Sequence, residues 1–309
     1  MKIIRINEEY SPVDEPVAAT VGFFDGVHAG HRYLIKQLKD AAKAKNLPTA
    51  IVTFTMHPQL VLNPRLNLPL LTALDEKMRL LADNGIDKCF LATFTQEFSC
   101  TDAESFIKNF LAETLNVKLL AVGYDHRFGK HRHAGYDEYV KFGAECGMDV
   151  IRAAELPGGH ISSTVIRKTL EAGCVEEAAK MLEQDYQITG EVIQGSLQGR
   201  TIGFPTANLR LVEEDKLIPG TGVYEVDVLL RNEQLQGMAY IGTRPTLVDQ
   251  GELRIEVNIF NFNQDIYGET LTLKFKHFIR EDRAFNSVED LQIQLVKDKN
   301  YILSKDGSK

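Results

Sequence analysis

The 309-residue sequence predicts two domains of different architecture: an α/β domain with a parallel sheet, then a small antiparallel β-barrel with a C-terminal helix. In the first half, short apolar or β-branched runs alternate with helical patterns, which is typical of a parallel sheet with helices on both faces. After Tyr186, apolar and polar residues alternate, which indicates half-buried antiparallel strands. We therefore expect domains over residues 1–185 and 186–309.

The first half contains strand and helix patterns in regular alternation. Ligands of such parallel sheets bind at the carboxyl ends of the strands. Two glycine-bearing segments, residues 22–31 and 123–135, follow predicted strands, so we expect a ligand site at that edge. The predicted strands are residues 18–21, 49–54, 88–93 and 118–122, and the predicted helices are residues 30–45, 74–82 and 102–115.

The second half contains strand patterns separated by turn-rich pieces such as residues 219–222. A helix is predicted over residues 288–297, with Asn286 or Ser287 as its N-cap, because a short polar side chain can accept a hydrogen bond from the first helical turn. The predicted strands are residues 223–229, 254–259 and 271–275.

Composition excludes several classes of protein. The chain is 44% hydrophobic and 25% charged, as in ordinary globular proteins, and its formal net charge of −8 disfavours a general nucleic-acid or anionic-membrane binder. The four cysteines lack metal-type spacing, so we expect reduced, buried thiols. We see neither an apolar run of about 20 residues nor a secretory signal, and therefore expect a cytoplasmic protein without membrane partners.

The segment over residues 199–208 indicates phosphate chemistry. Its glycines permit close approach of the backbone to a phosphate, and Pro205 fixes the chain just beyond them. Thr206 and Asn208 are two residues apart, so their side chains point to the same side of an extended segment. Both offer neutral oxygen atoms to a hard cation there. Mg²⁺ with ATP is the natural occupant, and the alternative is a plain turn.

A second pattern, residues 22–31, indicates another phosphate site at the start of a helix. His28 and His31 lie on either side of Gly30, so both can donate to phosphate oxygens while the helix N-terminus adds backbone N–H groups. The alternative is that both histidines are only helix-start residues.

Both patterns resemble those of one family. Residues 190–208 match, at every fixed position, the riboflavin kinase motif G-x-V-x-x-G-x-x-x-G-R-x-x-G-x-P-T-A-N, and residues 22–31 resemble the H-x-G-H loop of nucleotidyltransferases. Together they resemble the prokaryotic bifunctional riboflavin kinase/FAD synthetases. Further segments similar to that family are residues 53–58, 122–129, 161–167, 240–246 and 278–285.

The resemblance implies a Rossmann-like nucleotidyltransferase domain followed by a riboflavin kinase barrel. It also implies two reactions, each with Mg²⁺: riboflavin and ATP would give FMN at the C-terminal domain, and FMN and ATP would give FAD and pyrophosphate at the N-terminal domain. ATP, riboflavin, FMN and FAD are the implied partners.

For the N-terminal domain, the resemblance implies phosphate-binding and flavin-binding residues. Ser163 or Thr164 would also cap the helix that Gly173 ends. Alternatives are that residues 162–164 only cap this helix and that Asp125 is a solvated loop acid. The implied catalytic residues are His28 and His31, the implied ATP-binding residues are Gly22, Phe24, Asp25, Gly30, Asp125, Ser162, Ser163, Thr164 and Arg167, and the implied flavin-binding residues are His57 and Pro58.

For the C-terminal domain, the resemblance makes Glu256 the catalytic base and Thr206 and Asn208 the metal ligands. The alternative for Glu256 is an outward polar residue on an alternating strand, and the alternative for Phe285 is a staple before the last helix. The remaining implied residues are Gly195, Gly199, Arg200 and Gly203 for the phosphate loop, and Arg280 and Phe285 for the flavin pocket.

The sequence departs from the family pattern at Phe23, His126 and Asn258, where the family usually has Asn, Phe and His. Two alternatives therefore stay open: a riboflavin kinase whose N-terminal domain binds nucleotide without turnover, and a non-catalytic flavin sensor. The intact His28 and His31 argue against the first, and Glu256 argues against the second because a mere binder needs no base.

Overall fold

The chain divides into two compact units, Met1–Ser163 and Thr164–Lys309. Each unit has its own sheet. The domain boundary predicted after residue 185 stays a prediction. The computed structural model describes residues 1–6, 12–124, 129, 134–159, 161–195, 203–243 and 253–306.

The first unit contains a six-stranded parallel sheet in the order β1-β4-β3-β2-β5-β6. Every residue of β2, β3 and β4 is buried, because helices cover both faces of the sheet. The chain leaves β2 towards β3 on one side and returns to β5 on the other, so a topological switch point lies beside β2. The strands are β1 Lys2–Ile6, β2 Val17–Val21, β3 Thr49–Phe54, β4 Lys88–Ala92, β5 Val117–Val122 and β6 Asp149–Arg152.

Two hydrophobic cores lie on opposite faces of this sheet. Along β3, Val52 belongs to the core that contains Phe106 and Leu111, whereas Ile51 belongs to the core that contains Leu38, since successive strand side chains point to opposite faces. The predicted helix over 102–115 is present, and most of it is π-helical. The helices are α1 Ala29–Ala44, α2 Pro58–Leu62, α3 Leu74–Asp83, α4 Gln96–Ser99, α5 Ala103–Ser105 with the π-helix Phe106–Thr114, and α6 Tyr136–Glu145.

The second unit contains a closed antiparallel barrel in the order β10-β11-β8-β7-β12-β9. Closure leaves no open sheet edge, and inward residues such as Val226, Val257 and Phe275 are fully buried. The strands predicted over 223–229, 254–259 and 271–275 are all present. The barrel strands are β7 Gln187–Ile193, β8 Ala207–Leu211, β9 Gly222–Leu230, β10 Glu233–Thr243, β11 Leu253–Ile259 and β12 Thr270–Arg280.

Three helices complete this unit in its described part: α7 Ser163–Glu171, which starts at the unit boundary, α8 Val175–Leu182 and α9 Val288–Asp306. The Ser287 hydroxyl accepts a 3.0 Å hydrogen bond from the Asp290 amide, which confirms Ser287 as the N-cap of α9. Helix α9 extends nine residues beyond the predicted end at 297. It is anchored by Ile302, which packs in a core with Met238 and Phe260.

Two smaller predictions were wrong. Ser163 and Thr164 are not the N-cap of α7, because the helix already includes both of them. The cysteines are free, but only Cys89 is buried, and Cys100 is exposed because it follows the short surface helix α4. The predicted helix end at Gly173 is confirmed: α7 ends at Glu171, and Gly173 has a φ of +79° that a glycine adopts readily.

Candidate active sites

The loop after β2 is folded tightly against the carboxyl edge of the sheet. Its first amide, Gly22 N, donates to Val52 O over 3.0 Å. Phe24 is buried in a left-handed conformation (φ 57°, ψ 37°), and a Cβ on Gly22 would lie 3.0 Å from its ring. A side chain at position 22 would press against this ring, which explains why the loop begins with glycine.

Asp25 holds this loop to the segment before α3. Its carboxylate accepts hydrogen bonds from the amides of Leu71 and Thr72 and from the Thr72 hydroxyl, over 3.0–3.2 Å. The Gly26 amide donates to Thr72 Oγ1 over 3.1 Å. Asp25 is only 3% exposed. This arrangement supports a positioning role, and direct contact of Asp25 with phosphate stays a prediction.

His28 and His31 lie together at the start of α1. His28 is the N-cap, and its Nδ1 accepts a long hydrogen bond of 3.4 Å from the His31 amide. The two imidazole rings stack with their centroids 3.7 Å apart. A Cβ on Gly30 would lie 3.2 Å from the His28 ring, so Gly30 allows this packing. An accepting Nδ1 leaves the proton of neutral His28 on Nε2, the atom suited to donate to a phosphate.

Residues 162–167, which the resemblance assigns to the nucleotide phosphates, span the boundary between the two units. Within the first unit, Ser163 Oγ donates to the backbone carbonyl of Asp25 over 3.0 Å, which holds residue 163 against the loop after β2. Ser162 is half-buried and Thr164 is exposed. Arg167 belongs to the second unit and is 7% exposed.

The predicted flavin-binding residues lie just after β3. His57 caps α2 by accepting from the Gln59 amide over 3.2 Å, and Pro58 occupies the first helical position. The His57 ring meets the Phe23 ring edge-on, with centroids 4.5 Å apart. The loop after β2 and the residues after β3 are therefore in direct contact. The flavin role of His57 and Pro58 stays a prediction.

The sequence interpretation missed Lys77, a buried lysine on α3. Its ammonium group lies 3.1 Å from the carbonyl oxygen of Phe23 and 3.3 Å from that of Phe54. Burial lowers the pKa of Lys77 from 10.5 to about 8. The one available signal in the sequence was a charged residue on the apolar face of the α3 pattern.

Three predicted site residues, Asp125, Gly199 and Arg200, lie outside the described residues. They stay predictions.

The barrel brings Thr206, Asn208 and Glu256 together. Asn208 of β8 is directly opposite Glu256 of β11 in the strand register. Thr206 Oγ1 donates to Glu256 Oε2 over 3.1 Å. On the other side, Glu256 is opposite Tyr240 of β10, whose hydroxyl donates to Asp282 over 2.9 Å. This polar row crosses three neighbouring strands.

Two further contacts hold the Thr206–Asn208 segment. Asn258 Nδ2 donates to the Pro205 carbonyl over 2.7 Å, so the residue that departs from the family pattern has a definite structural contact. A Cβ on Gly195 would lie 2.0 Å from Asn208 Nδ2, so only glycine fits beside this amide. Gly203 is exposed and has a φ of +76°, which suits a turn before the segment.

A cavity of about 420 Å³ adjoins this row. Pro205, Thr206 and Ala207 line one side of it, Val257 and Ile259 lie on the barrel strand beside them, and residues 262–267 form the loop that borders it. The cavity was not predicted, because its wall combines segments that are distant in sequence.

Arg280 and Phe285 lie at the end of β12. Arg280 Nε donates to the buried carboxylate of Asp298 over 2.9 Å, and Gln294 donates to the other carboxylate oxygen over 2.6 Å. The Phe285 ring has two guanidinium groups near it, 5.6 Å away for Arg280 and 5.0 Å away for Arg283. Asp298 is a second residue that the sequence interpretation missed.

The side chains around Glu256 suit a divalent metal ion. Thr206 donates a hydrogen bond to Glu256, so the lone pairs of its oxygen can bind a cation, and Asn208 adds an amide oxygen. One carboxylate with neutral oxygen atoms is a set that Mg²⁺ accepts together with substrate phosphates. The described residues contain no group of three or more His, Cys, Asp or Glu side chains that could hold a metal ion.

An α/β unit with a histidine-bearing loop at its switch point, joined to a barrel with a Thr–Asn–Glu row, defines a two-domain phosphate-transferring enzyme. Residues 11–165 match the family model described as FAD synthetase, and residues 182–304 match the one described as riboflavin kinase. The chain belongs to the family of bifunctional riboflavin kinase/FMN adenylyltransferases, which confirms the predicted family, fold and enzyme class.

Relatives of known name match nearly the whole chain. It is 40% identical over 293 residues to the bifunctional riboflavin kinase/FMN adenylyltransferase of Listeria monocytogenes, covering 94% of this chain and 92% of that one. The enzyme of the same name from Escherichia coli K12 is 36% identical over 302 residues, covering 96% of both chains.

A solved structure has the same fold over nearly its full length. This crystal structure, described as a macrolide-efflux protein from Streptococcus pneumoniae, superposes with a TM-score of 0.87 at 34% identity and covers 97% of this chain and 98% of that one. In the described part of our chain, no helix is both long enough and apolar enough to cross a membrane.

Proposed function

We propose that the chain makes FAD in two steps. The barrel transfers the γ-phosphoryl group of ATP to riboflavin and gives FMN and ADP. The α/β unit then transfers the adenylyl group of a second ATP to FMN and gives FAD and pyrophosphate. The observation that carries this proposal is the 3.1 Å contact between Thr206 and Glu256 beside Asn208, in a chain that matches both family models.

Phosphorylation of riboflavin requires a base, because the nucleophile is a primary alcohol that must lose its proton as the bond to phosphorus forms. We assign this role to Glu256. Its carboxylate has oxygen atoms available for more than one hydrogen bond, so it can accept from Thr206 and from the substrate hydroxyl. The adjoining cavity of about 420 Å³ is large enough for part of a nucleotide or flavin.

Adenylyl transfer makes different demands on the α/β unit. A phosphate oxygen of FMN, already ionised at neutral pH, attacks the α-phosphorus while the bond to pyrophosphate breaks. The site must orient the reactants and neutralise negative charge rather than remove a proton. His28, His31 and the N-terminal amides of α1 supply donors for this purpose. Arg167 and Ser162 are assigned to the nucleotide phosphates on the resemblance alone.

Mg²⁺ is the metal ion that we propose for both steps. Thr206 and Asn208 would hold it at the barrel, where it would neutralise charge on the ATP phosphates when bound.

We assign Arg280 and Phe285 to riboflavin and His57 and Pro58 to FMN. We further propose that the functional boundary lies after residue 185, four residues into the riboflavin kinase match that begins at 182, and that the enzyme works in the cytoplasm.

The test is to incubate the pure protein with riboflavin, ATP and Mg²⁺ and to separate riboflavin, FMN and FAD by chromatography over time. We expect FMN first and FAD afterwards. FMN alone, also when FMN is the starting substrate, would instead indicate a kinase with a silent α/β unit. Flavin binding without any product would indicate a sensor.

A further inference from the structure

Lys77 is a charged side chain in an unusual place. It lies on α3 and is 2% exposed, although lysine is almost never fully buried unless it is paired. Its helix packs under the loop that follows β2, and its ammonium group reaches the carboxyl edge of the sheet.

The ammonium group has three acceptors at this edge. They are the carbonyl oxygens of Phe23 and Phe54 and the hydroxyl of Thr53, at 3.1, 3.3 and 3.4 Å. An ammonium group has three N–H donors, so each acceptor can receive one of them. The same nitrogen lies 3.9 Å from the centroid of the Phe23 ring, which adds a cation–π contact.

These acceptors belong to two different segments. Phe23 is in the loop after β2 that leads to His28, whereas Phe54 is the last residue of β3 and leads to His57. Beyond the ammonium group, the two segments meet through the edge-on contact of the Phe23 and His57 rings. One cation therefore joins the segment that we assign to ATP phosphates and the segment that we assign to FMN.

We propose that Lys77 is a positioning residue for adenylyl transfer. It holds the loop after β2 and the residues after β3 in fixed positions relative to each other, so that FMN meets the α-phosphorus of ATP. This inference rests on the proposed function of the α/β unit. Asp25 supports it, because its carboxylate anchors the same loop to Leu71 and Thr72, just before the same helix.

The charge of Lys77 makes its role testable by pH. Burial lowers its pKa to about 8, and the facing Asp25 carboxylate partly opposes that shift. Cys89, the other ionisable neighbour, is neutral in this range because burial raises its pKa to about 11. Neutral Lys77 has two N–H donors for three acceptors, so one acceptor loses its hydrogen bond as the pH rises through about 8.

The test is steady-state kinetics of Lys77→Met with FMN and ATP, compared with riboflavin phosphorylation by the same preparation. We expect kcat/KM of adenylyl transfer to fall about 10- to 100-fold, because a misplacement of about 1 Å costs on that order. Phosphorylation should be unchanged. The wild-type adenylyl rate should also decline above about pH 8, and this decline should be absent in Lys77→Met.

The matched control is Lys39→Met. Lys39 also donates to a backbone carbonyl, that of Asn84 over 2.9 Å, but it is exposed, so both activities should stay at wild-type level. If Lys77→Met fails to fold, Thr53→Val removes one of the three acceptors together with the 3.1 Å hydrogen bond from the Thr53 hydroxyl to the Phe23 carbonyl, so the readout specific to Lys77 is a shifted pH profile of adenylyl transfer.

Wild-type adenylyl kinetics and pH profile in a folded Lys77→Met variant, or in Thr53→Val if the former does not fold, would overturn the inference. Equal loss of both activities in folded Lys77→Met would do the same, since it would indicate a general structural role. If the wild-type protein made no FAD from FMN at all, the proposed function itself would fail, and the role of Lys77 with it.

Discussion

The hydroxyl of Thr206 lies 3.1 Å from Oε2 of Glu256 and donates a hydrogen bond to it. The two residues are 50 positions apart in the chain, and antiparallel pairing of β8 with β11 brings them together. On the proposed function, we expect this hydroxyl to act twice: it orients the carboxylate through its hydrogen bond and offers its oxygen lone pairs to the cation. We therefore expect the proposed base and the proposed metal site of the kinase step to be coupled.

We expect Glu256→Gln to lower riboflavin phosphorylation about 100- to 10,000-fold, the range for loss of general base catalysis. The amide keeps the size of the side chain and can still accept from Thr206, so the barrel should stay folded. Conversion of supplied FMN to FAD should be unaffected. Separate assays of the two half-reactions measure this.

The matched control is Glu233→Gln, since Glu233 is an exposed glutamate at the start of β10. It should leave both rates unchanged. A Glu256→Gln variant that phosphorylates riboflavin at the wild-type rate would favour the alternative that Glu256 is only an outward polar residue.

Gly195→Ala should weaken the kinase step through Asn208. The new Cβ would lie 2.0 Å from Asn208 Nδ2, so the amide has to move from its place opposite Glu256. We expect a higher KM for Mg-ATP in phosphorylation and no change in adenylyl transfer. Adenylyl transfer by the same preparation is the internal control. An unchanged KM in Gly195→Ala would argue against Asn208 as a ligand.

Two variants of His28 separate catalysis from helix capping. His28→Ala removes both the cap and the Nε2 donor. It should lower adenylyl transfer about 100- to 1,000-fold, which is the usual effect of removing one hydrogen-bond donor that stabilises charge in a transition state. His28→Asn restores a good N-cap without that donor, so it should restore thermal stability but not activity. Recovery of activity in His28→Asn would mean that His28 is only a cap. Riboflavin phosphorylation is the internal reference.

Asp298→Ala should destabilise the barrel unit and weaken riboflavin binding. Asp298 is buried and pairs with Arg280, so its loss leaves a largely buried guanidinium group without its carboxylate, at a cost of about 3–5 kcal/mol. Thermal unfolding and the KM for riboflavin measure the two effects. Glu289→Ala, an exposed change on the same helix, should cost less than about 1 kcal/mol. An unchanged KM for riboflavin would contradict the assignment of Arg280 to the flavin site.

Lys77 should make the stability of the α/β unit rise with pH. Below about pH 8 the lysine is protonated in both the folded and the unfolded chain, and the cost of burying its charge is fully present. Between about pH 8 and 10.5 the unfolded chain holds the proton and the folded one does not, so stability increases. The gain relative to Lys77→Met should reach about 3 kcal/mol. Hydrogen exchange of the buried strand amides at both ends of this pH range measures the stability of the wild type and of Lys77→Met. A difference in stability between the two proteins that does not change with pH would contradict the assigned pKa.

The sequence by itself determined both fold classes and much of the chemistry. Continuous apolar runs such as Thr49–Phe54 predict a strand buried on both faces, and the change to alternating residues after Tyr186 predicts the barrel, because burial pattern depends directly on local periodicity. The phosphate motifs are also local, since His28, Gly30 and His31 act through one helix start. Residues of this kind can be recognised without knowledge of their neighbours.

Only the tertiary structure decided what these residues contact. Asp25 has the sequence context of a phosphate ligand, yet its carboxylate binds the amides of Leu71 and Thr72. The carboxylate of Asp298 meets Arg280 and the ammonium group of Lys77 meets Phe23, although nothing in the local sequence pairs them. Hydrogen bonds and burial depend on distances between segments that are remote in the chain, and these distances exist only after the strands have paired.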